Sequence, residues 1–225
     1  MPVQTSSDPF MADRIGITMC VAESRHGETR DCLARDWGIF MSRTLPHATW
    51  MPIPNLGEPV TDLAQELQLD GLIFTGGNDI GSCLQRDLTE QALLNHAIKS
   101  HLPVLGVCRG LHLLQHHFKG QLVPCEPSLH VAVEHPISSR NISNDLGIHD
   151  GTTVNSYHNW AIQAAKLAPA LELLATSPDG CVEAARHREA PITAVQWHPE
   201  RDNPASTLDK TLAQTIFGGG ITCAP

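Results

Sequence analysis

An open, mostly parallel α/β sheet flanked by helices, with a small antiparallel excursion, is the fold class that the sequence predicts. Short apolar runs alternate with stretches of helical periodicity as far as Lys119-Gly120. One of these runs, Val104–Val107, leads through Gly-x-Cys-x-Gly directly into a helical stretch. Beyond Gly120 prolines break this rhythm, and Ile192–Gln196 then returns as a core strand. Such alternation is typical of parallel strands whose two faces are covered by helices.

The elements follow in chain order from apolar periodicity and from the prolines and glycines that end them. Strands are predicted over Arg14–Val21, Thr49–Ile53, Gly71–Phe74 and Val104–Val107. Helices are predicted over a stretch with Leu33, Trp37, Phe40 and Met41 on one face, near Pro59–Leu67, over Asp87–Ser100 and from about Arg109. Pro124, Pro127, Pro136 and the polar stretch Ser138–Asp150 indicate short hairpins or excursions in the second half.

The length of the chain favours one domain. Its 225 residues, 41% of them apolar, suffice for one sizeable core. We expect a disordered tail over residues 1–12, a single domain over residues 13–217 and a flexible end over residues 218–225.

Charge and cysteine content exclude several classes of protein. A net charge of −9 and a pI near 5.7 argue against nucleic acid or an anionic membrane as the main partner. The seven cysteines form no C-x-x-C pair, so neither a disulfide framework nor a zinc ribbon is indicated. No apolar run is long enough to span a bilayer, and the first residues lack the features of a signal peptide. A cytoplasmic protein is the expectation.

Cys108 stands where a catalytic nucleophile is expected. Gly106 and Gly110 flank it in a strand-to-helix turn that resembles a nucleophile elbow, which lifts the sulfur out at the carboxyl end of the sheet. The helix N-terminus that follows favours a thiolate. The alternative is a buried structural cysteine in an ordinary strand–helix turn.

A base and its partner follow the last predicted strand. His198 is two residues before Glu200, and Pro199 stiffens the turn between them. A histidine can accept the thiol proton and later protonate a leaving nitrogen, while a carboxylate orients the imidazole. The alternative is that both are ordinary surface residues.

The elbow and the Trp-His-Pro-Glu run, about ninety residues apart, resemble the class I glutamine amidotransferase superfamily, including its γ-glutamyl hydrolase, peptidase C26-like branch. The resemblance extends over nearly the whole chain from Arg14. It implies a cysteine-dependent hydrolase of a γ-glutamyl amide bond, with Cys108, His198 and Glu200 as the triad and a thioester intermediate.

The resemblance also assigns an oxyanion hole to the glycine pair after the third predicted strand. The N–H of Gly76 or Gly77, with that of Arg109 after the nucleophile, would stabilise the oxyanion. A plain tight turn is the alternative. Asn78, the next residue, is taken as a substrate-binding candidate with this loop.

Further substrate contacts are expected from Val154–Trp160, which resembles the Asn-Ser-x-His segment of the γ-glutamyl hydrolase branch. It implies that Ser156, Tyr157 and His158 line the glutamyl pocket. His112 departs from the family, whose glutaminases usually carry glutamine four residues after the nucleophile. On a helix His112 shares a face with Cys108, so this change favours a modified or charged substrate.

Arginines suggest that the substrate is anionic. Arg25 and Arg30 follow the first predicted strand, where ligands of open α/β sheets bind, although such residues often form a solvated face. Arg86 could clamp a carboxylate or phosphate, with a solvated arginine as the equal alternative. The run from Glu28 to Trp37 also resembles a narrower group, the hydrolases that remove glutamate from γ-glutamyl-CDP-amidate in capsule phosphoramidate synthesis.

Neither a cofactor nor a metal is expected. His112 and His116 have the i,i+4 spacing of a zinc pair, and His117, His130 and His135 follow, but no glutamate base accompanies the pair. The expected ligand is a small anionic γ-glutamyl compound. Three alternatives stay open: a glutaminase subunit that feeds a separate synthetase, a γ-glutamyl amine or polyamine hydrolase, which the arginines argue against, and an inactive binding module. A synthetase partner or a homo-oligomer is compatible with the sequence.

Overall fold

The computed structural model describes residues 12–140 and 145–218. The predicted tail and the predicted flexible end lie outside this part of the chain, apart from Ala12 and Gly218. Ala12 is buried, and its N–H donates to the carbonyl of Phe217 at 2.8 Å. The first and last described segments are therefore joined.

An eight-stranded sheet forms the centre of the molecule, in the order β4-β1-β5-β6-β14-β13-β12-β9. The strands are β1 (Arg14–Thr18), β2 (Cys20–Glu23), β3 (Thr29–Cys32), β4 (Thr49–Ile53), β5 (Gly71–Phe74), β6 (Val104–Val107), β7 (Val123–Pro124), β8 (Val131–Pro136), β9 (Ser138–Ser139), β10 (Thr153–Tyr157), β11 (Trp160–Ala161), β12 (Leu171–Thr176), β13 (Val182–His187) and β14 (Ile192–Val195). The helices are α1 (Arg35–Thr44), α2 (Val60–Glu66), α3 (Leu84–Ser100), α4 (Arg109–His117), α5 (Pro127–His130) and α6 (Thr207–Phe217).

The predicted fold class is confirmed. Strands β4, β1, β5, β6 and β14 are parallel neighbours. Strands β13, β12 and β9 continue the same sheet in antiparallel order. Two smaller antiparallel pairs, β8 with β10 and β7 with β11, form the predicted excursion.

Apolar side chains cover both faces of the sheet. Helices α1 and α6 pack on one face against residues such as Ile73 and Leu105, and α2, α3 and α4 pack on the other against Leu72 and Val104. Successive residues of a strand point to opposite faces, so a continuous apolar run is what a doubly covered strand requires. This explains why the bounds predicted for β5 and β6 are the observed ones.

The segment after the first strand differs from the prediction. Strand β1 ends at Thr18, and β2 and β3 form an antiparallel hairpin in place of a direct run into the helix. Gly27, at φ +78°, lies in the turn, and the N–H of Ser24 donates to the carbonyl of Glu28 at 2.8 Å. Helix α1 begins only at Arg35, so Leu33 lies outside it.

Among the described residues, no helix is long and apolar enough to cross a membrane.

Candidate active site

Cys108 occupies a strained turn at the carboxyl end of the sheet. It lies between β6 and α4 at φ 50° and ψ −95°, in a region that side chains rarely adopt. Its N–H donates to the carbonyl of Val195 on the neighbouring strand at 2.8 Å. A Cβ on Gly110 would lie 2.7 Å from the carbonyl oxygen of Phe74, so only glycine lets α4 pack this closely on β5. Neighbouring backbone therefore holds the cysteine in place.

His198 and Glu200 form a buried pair beside the cysteine. Nδ1 of His198 lies 2.8 Å from Oε1 of Glu200, and both side chains are about 5% exposed. Burial lowers the pKa of His198, but the Cys108 thiol and the Glu200 carboxylate outweigh it and raise the pKa to about 9. The imidazole is therefore a stable cation near neutral pH.

Asn155 positions the backbone of the histidine. Its Nδ2 donates to the carbonyl of His198 at 2.9 Å, and its Oδ1 accepts from the N–H of His198 at 2.9 Å. Sequence reasoning missed this residue, although it begins the Asn-Ser-Tyr-His segment.

Gly76 lies against both catalytic candidates. A Cβ built on it would be 2.6 Å from Cε1 of His198 and 3.6 Å from Cβ of Cys108. The loop after β5 therefore touches the cysteine and the imidazole at once, which only a residue without a side chain allows.

Buried polar side chains brace this loop from below. The guanidinium of Arg86 is fully buried and donates to the carbonyls of Thr75 and Gly76, both at 2.9 Å. Asn78 is bound to Val21 through both ends of its amide and accepts from Arg86. The full burial of Arg86 excludes the solvated arginine that the sequence left open, and its bonds make it a support for the glycine loop. Asn78, half-buried, supports the same loop.

A cavity of about 180 Å³ opens above the cysteine. It is lined by Gly77, Asp79, Cys108, Arg109, His112, Tyr157, His158, Asn159, Trp160, His198 and Arg201. Seven of these are sequence candidates. A groove of about 460 Å³ shares Asp79, His112 and Trp160 with it and extends outward.

Two histidines in the cavity wall are neutral. Burial lowers the pKa of His112 to about 4, and its Nε2 lies 3.0 Å from Oε1 of Gln196. Burial and neighbouring histidines lower the pKa of His158 to about 3. Neither histidine is therefore charged near neutral pH.

Tyr157 and Ser156 face different surroundings. The Tyr157 ring lies 6.0 Å from the His198 ring in an edge-to-face contact and is 41% exposed. Ser156 is fully buried, and its hydroxyl donates to the carbonyl of His130 at 2.9 Å. Ser156 thus fastens β10 and does not line the cavity.

The predicted arginines lie elsewhere. Arg25 and Arg30 are exposed on the β2–β3 hairpin, and Arg30 pairs with Glu28. Neither lines the cavity. Arg109 does line it, but its side chain is buried in ion pairs with Asp87 and Glu90.

Sequence reasoning missed four further residues of the cavity wall: Asp79, Asn159, Trp160 and Arg201. The guanidinium of Arg201 lies 4.1 Å from the centre of the Tyr157 ring. It directly follows Glu200 in the sequence, and Asp79 directly follows the Gly-Gly-Asn run. Each of these two residues lies next to a recognised motif, and this position in the sequence could have identified it.

Comparison with known proteins identifies the family. Among solved structures, the fold matches a glutamine amidotransferase from Thermotoga maritima at a TM-score of 0.63 and 12% identity, covering 91% of this chain and 97% of that one. Residues 14–200 match Peptidase C26. The chain belongs to the Peptidase C26 family, on a class I glutamine amidotransferase fold, and this supports a hydrolase that acts on amide bonds.

Two proteins of similar sequence have different activities. The gamma-glutamyl-CDP-amidate hydrolase of Campylobacter jejuni is 30% identical over 207 residues, which cover 86% of this chain and 93% of the relative. One subunit of the glutamine-hydrolyzing GMP synthase of Thermococcus kodakarensis is 31% identical over 165 residues, covering 68% of this chain and 82% of the relative.

Proposed function

We propose that this protein cleaves a γ-glutamyl amide bond with Cys108 as nucleophile, His198 as general acid and base, and Glu200 as the group that orients the imidazole. The observation that carries the proposal is the shared cavity: Cys108 at the strained turn and His198 both line it, and Glu200 is paired with His198. Nucleophile, base and orienting carboxylate in this order form the arrangement required for acyl transfer.

The reaction proceeds in two halves. The Cys108 thiolate attacks the γ-carbonyl carbon, and backbone N–H groups of the Gly76–Gly77 loop and of Arg109 stabilise the oxyanion. The C–N bond then breaks, and the leaving nitrogen takes a proton from His198. Water, deprotonated by His198, hydrolyses the glutamyl thioester, which releases glutamate and restores the thiol.

The cavity suits a glutamyl group in size and charge. A volume of about 180 Å³ accepts a small acyl group but not a nucleotide, so a large leaving group would extend into the adjoining groove. The glutamyl ammonium finds a carboxylate in Asp79. Arg109 is already paired and His198 takes part in the reaction, so Arg201 is the arginine of the wall that is available to an anionic group.

The substrate that we propose is γ-glutamyl-CDP-amidate, as for the Campylobacter relative. Its phosphates are consistent with Arg201 at the cavity rim, and the neutral His112 replaces the glutamine usual in family glutaminases. A role in capsule phosphoramidate synthesis follows if this compound is the substrate.

Glutamate release by the purified protein tests the proposal. We expect faster release from γ-glutamyl-CDP-amidate than from glutamine, and loss of turnover in Cys108→Ser. Cys83→Ser is the matched control, because Cys83 does not line the cavity. A covalent glutamyl adduct trapped on any other cysteine would refute the assignment of the nucleophile, and equal turnover of glutamine would refute the assignment of the substrate.

A second function, a glutaminase that supplies ammonia to a separate synthetase, is favoured by the similarity to the Thermococcus GMP synthase. This candidate predicts that glutamine is the preferred substrate and that turnover rises when a synthetase is bound. Co-purification followed by the same glutamate assay distinguishes the two.

A further inference from the structure

Four buried titratable side chains converge behind the cavity wall. They are His130 at the end of α5, His135 on β8, His158 just after β10 and Glu183 on β13. Glu183 is 0% exposed, and the three histidines are between 1% and 9% exposed. The proposed reaction uses none of the four, so their convergence needs a separate explanation.

The outer nitrogen of each imidazole is hydrogen-bonded to an acceptor. Nε2 of His130 lies 2.9 Å from Oδ2 of Asp179. Nδ1 of His135 lies 3.2 Å from the carbonyl of Pro136, and Nδ1 of His158 lies 2.9 Å from that of Trp160. Since carbonyl and carboxylate oxygens only accept, each outer nitrogen carries the proton, and in a neutral ring the inner nitrogen presents a lone pair.

The inner atoms face one another. Nε2 of His135 lies 3.6 Å, and Nε2 of His158 4.0 Å, from Oε1 of Glu183. Candidate ligand atoms of His130, His135 and Glu183 all lie within 4.8 Å of one another. Within the described part of the chain, these inner nitrogens and both carboxylate oxygens of Glu183 have no hydrogen-bond partner. Buried acceptors that face each other without a donor destabilise a protein.

We propose that His130, His135 and Glu183 bind a divalent transition metal ion, with Zn²⁺ the best match. Imidazole nitrogen and carboxylate oxygen are ligands that zinc takes in tetrahedral sites. Ligands about 2.1 Å from a tetrahedral ion are roughly 3.4 Å apart, close to the shorter distance observed here. Hydrogen bonds from the outer nitrogens to carbonyl or carboxylate groups are the usual second layer of such a site.

A proton is the competing way to satisfy this cluster. A protonated Glu183 donates one hydrogen bond and so satisfies one of the three inner nitrogens, while the other two lone pairs remain without a donor. A metal ion held by His130, His135 and Glu183 satisfies two of the nitrogens and the carboxylate together. The geometry therefore favours the metal.

Such an ion would have a structural role. It would fasten α5 and β8, and with β8 its partner strand β10, to β13 of the main sheet. The sequence analysis expected no metal. It named His130 and His135 only as followers of the His112–His116 pair, whereas folding brings these two together with the distant Glu183.

Metal analysis of the whole protein tests this inference independently of its activity. The chain is stripped with a chelator, reloaded with Zn²⁺, passed through a desalting column and analysed for metal by mass spectrometry. We expect about one ion per chain at a structural site, and a visible absorption typical of tetrahedral cobalt when Co²⁺ is loaded instead.

Matched variants locate the ion. His135→Gln is expected to weaken Zn²⁺ binding by at least tenfold, roughly the loss that even outer-layer changes cause. His47→Gln, a change of the same type at an exposed position, leaves it unchanged. If His135→Gln and His47→Gln retain Zn²⁺ equally well, the assignment of the metal site is wrong. Because the wild-type measurement does not depend on a variant that folds, failure of the reloaded wild type to retain zinc would show that a proton satisfies the cluster.

Discussion

At the scale of single residues, the active-site candidates depend on conformations that only their neighbours make tolerable. Cys108 at positive φ costs roughly 1–3 kcal/mol, which the surrounding structure must offset. The β6–α4 turn does so through the backbone bond to Val195 and the close packing at Gly110. This strained conformation places the sulfur of Cys108 at the cavity.

The elevated pKa of His198 leads to a prediction on pH. The imidazole keeps its proton up to about pH 9, so kcat/KM should stay high to that pH and fall above it, where the leaving nitrogen finds no proton. Glu200→Gln removes a negative charge that stabilises the imidazolium, so the pKa falls and the alkaline limb moves to lower pH. The pH dependence of kcat/KM measures this, with the remote Glu172→Gln as control. If kcat/KM falls at the same alkaline pH in the wild type and in Glu200→Gln, this prediction is wrong.

At the scale of elements, an ion network beneath the glycine loop joins α3, α4 and β1. Glu90 on α3 accepts from Arg86 at 3.0 Å and from Thr18 at 2.8 Å, and it forms an ion pair with Arg109. Arg86 and Glu90 are fully buried, and Arg109 nearly so. Glu90 therefore bridges two buried guanidinium groups, and Asp87 gives Arg109 a second carboxylate partner.

This network predicts a large effect on stability. Glu90→Gln leaves the buried Arg86 without a carboxylate partner and Arg109 with Asp87 alone, so we expect the free energy of unfolding to fall by about 3–5 kcal/mol. Glu172→Gln breaks a half-exposed pair with Arg186 and should cost less than about 1 kcal/mol. Urea denaturation of both variants measures the difference, and comparable losses would show that the buried network does not brace the loop.

Elements with a strong local signal were predictable from sequence. The predicted bounds of strands β5 and β6 are the observed ones, because a doubly buried strand is a continuous apolar run ended by polar or small residues. The bounds predicted for the edge strand β4 are also the observed ones, although it is mostly half-buried or exposed. The β2–β3 hairpin was missed because its residues are mostly half-buried or exposed and follow β1 after a single residue, Met19. Its pairing depends on Gly27, whose role in a turn is not visible in apolar periodicity.

In the candidate site, too, the residues with a strong local sequence signal were predictable and the others were not. Cys108, His198 and Glu200 each belong to a short motif, so their proximity was foreseeable. The supporting role of Arg86 was not visible because most of its partners, at residues 75, 76 and 78, lie in another segment, and only Glu90 lies on its own helix. The histidine and Glu183 cluster spans residues 130–183 without any local spacing that marks it.

At the scale of the whole molecule, charge limits how an anionic substrate is held. The net charge of −9 repels phosphates at long range, so attraction must come from a cation near the cavity. Arg25 and Arg30 lie on the hairpin away from the cavity wall, whereas Arg201 is part of it. The stacking of Arg201 on Tyr157 orients its guanidinium and keeps it partly exposed for a ligand.

Replacing this arginine should therefore separate substrate binding from chemistry. We expect Arg201→Gln to raise KM for γ-glutamyl-CDP-amidate about tenfold, the loss of roughly 1.4 kcal/mol of ground-state binding, with a smaller change in kcat. Arg30→Gln, the same change on the hairpin, should leave KM nearly unaltered. The difference between wild type and Arg201→Gln should shrink as salt rises, because ions screen an exposed charge. Steady-state kinetics at two ionic strengths measure both effects. If KM responds to the Arg30 change but not to the Arg201 change, the anionic part of the substrate binds at the β2–β3 hairpin instead.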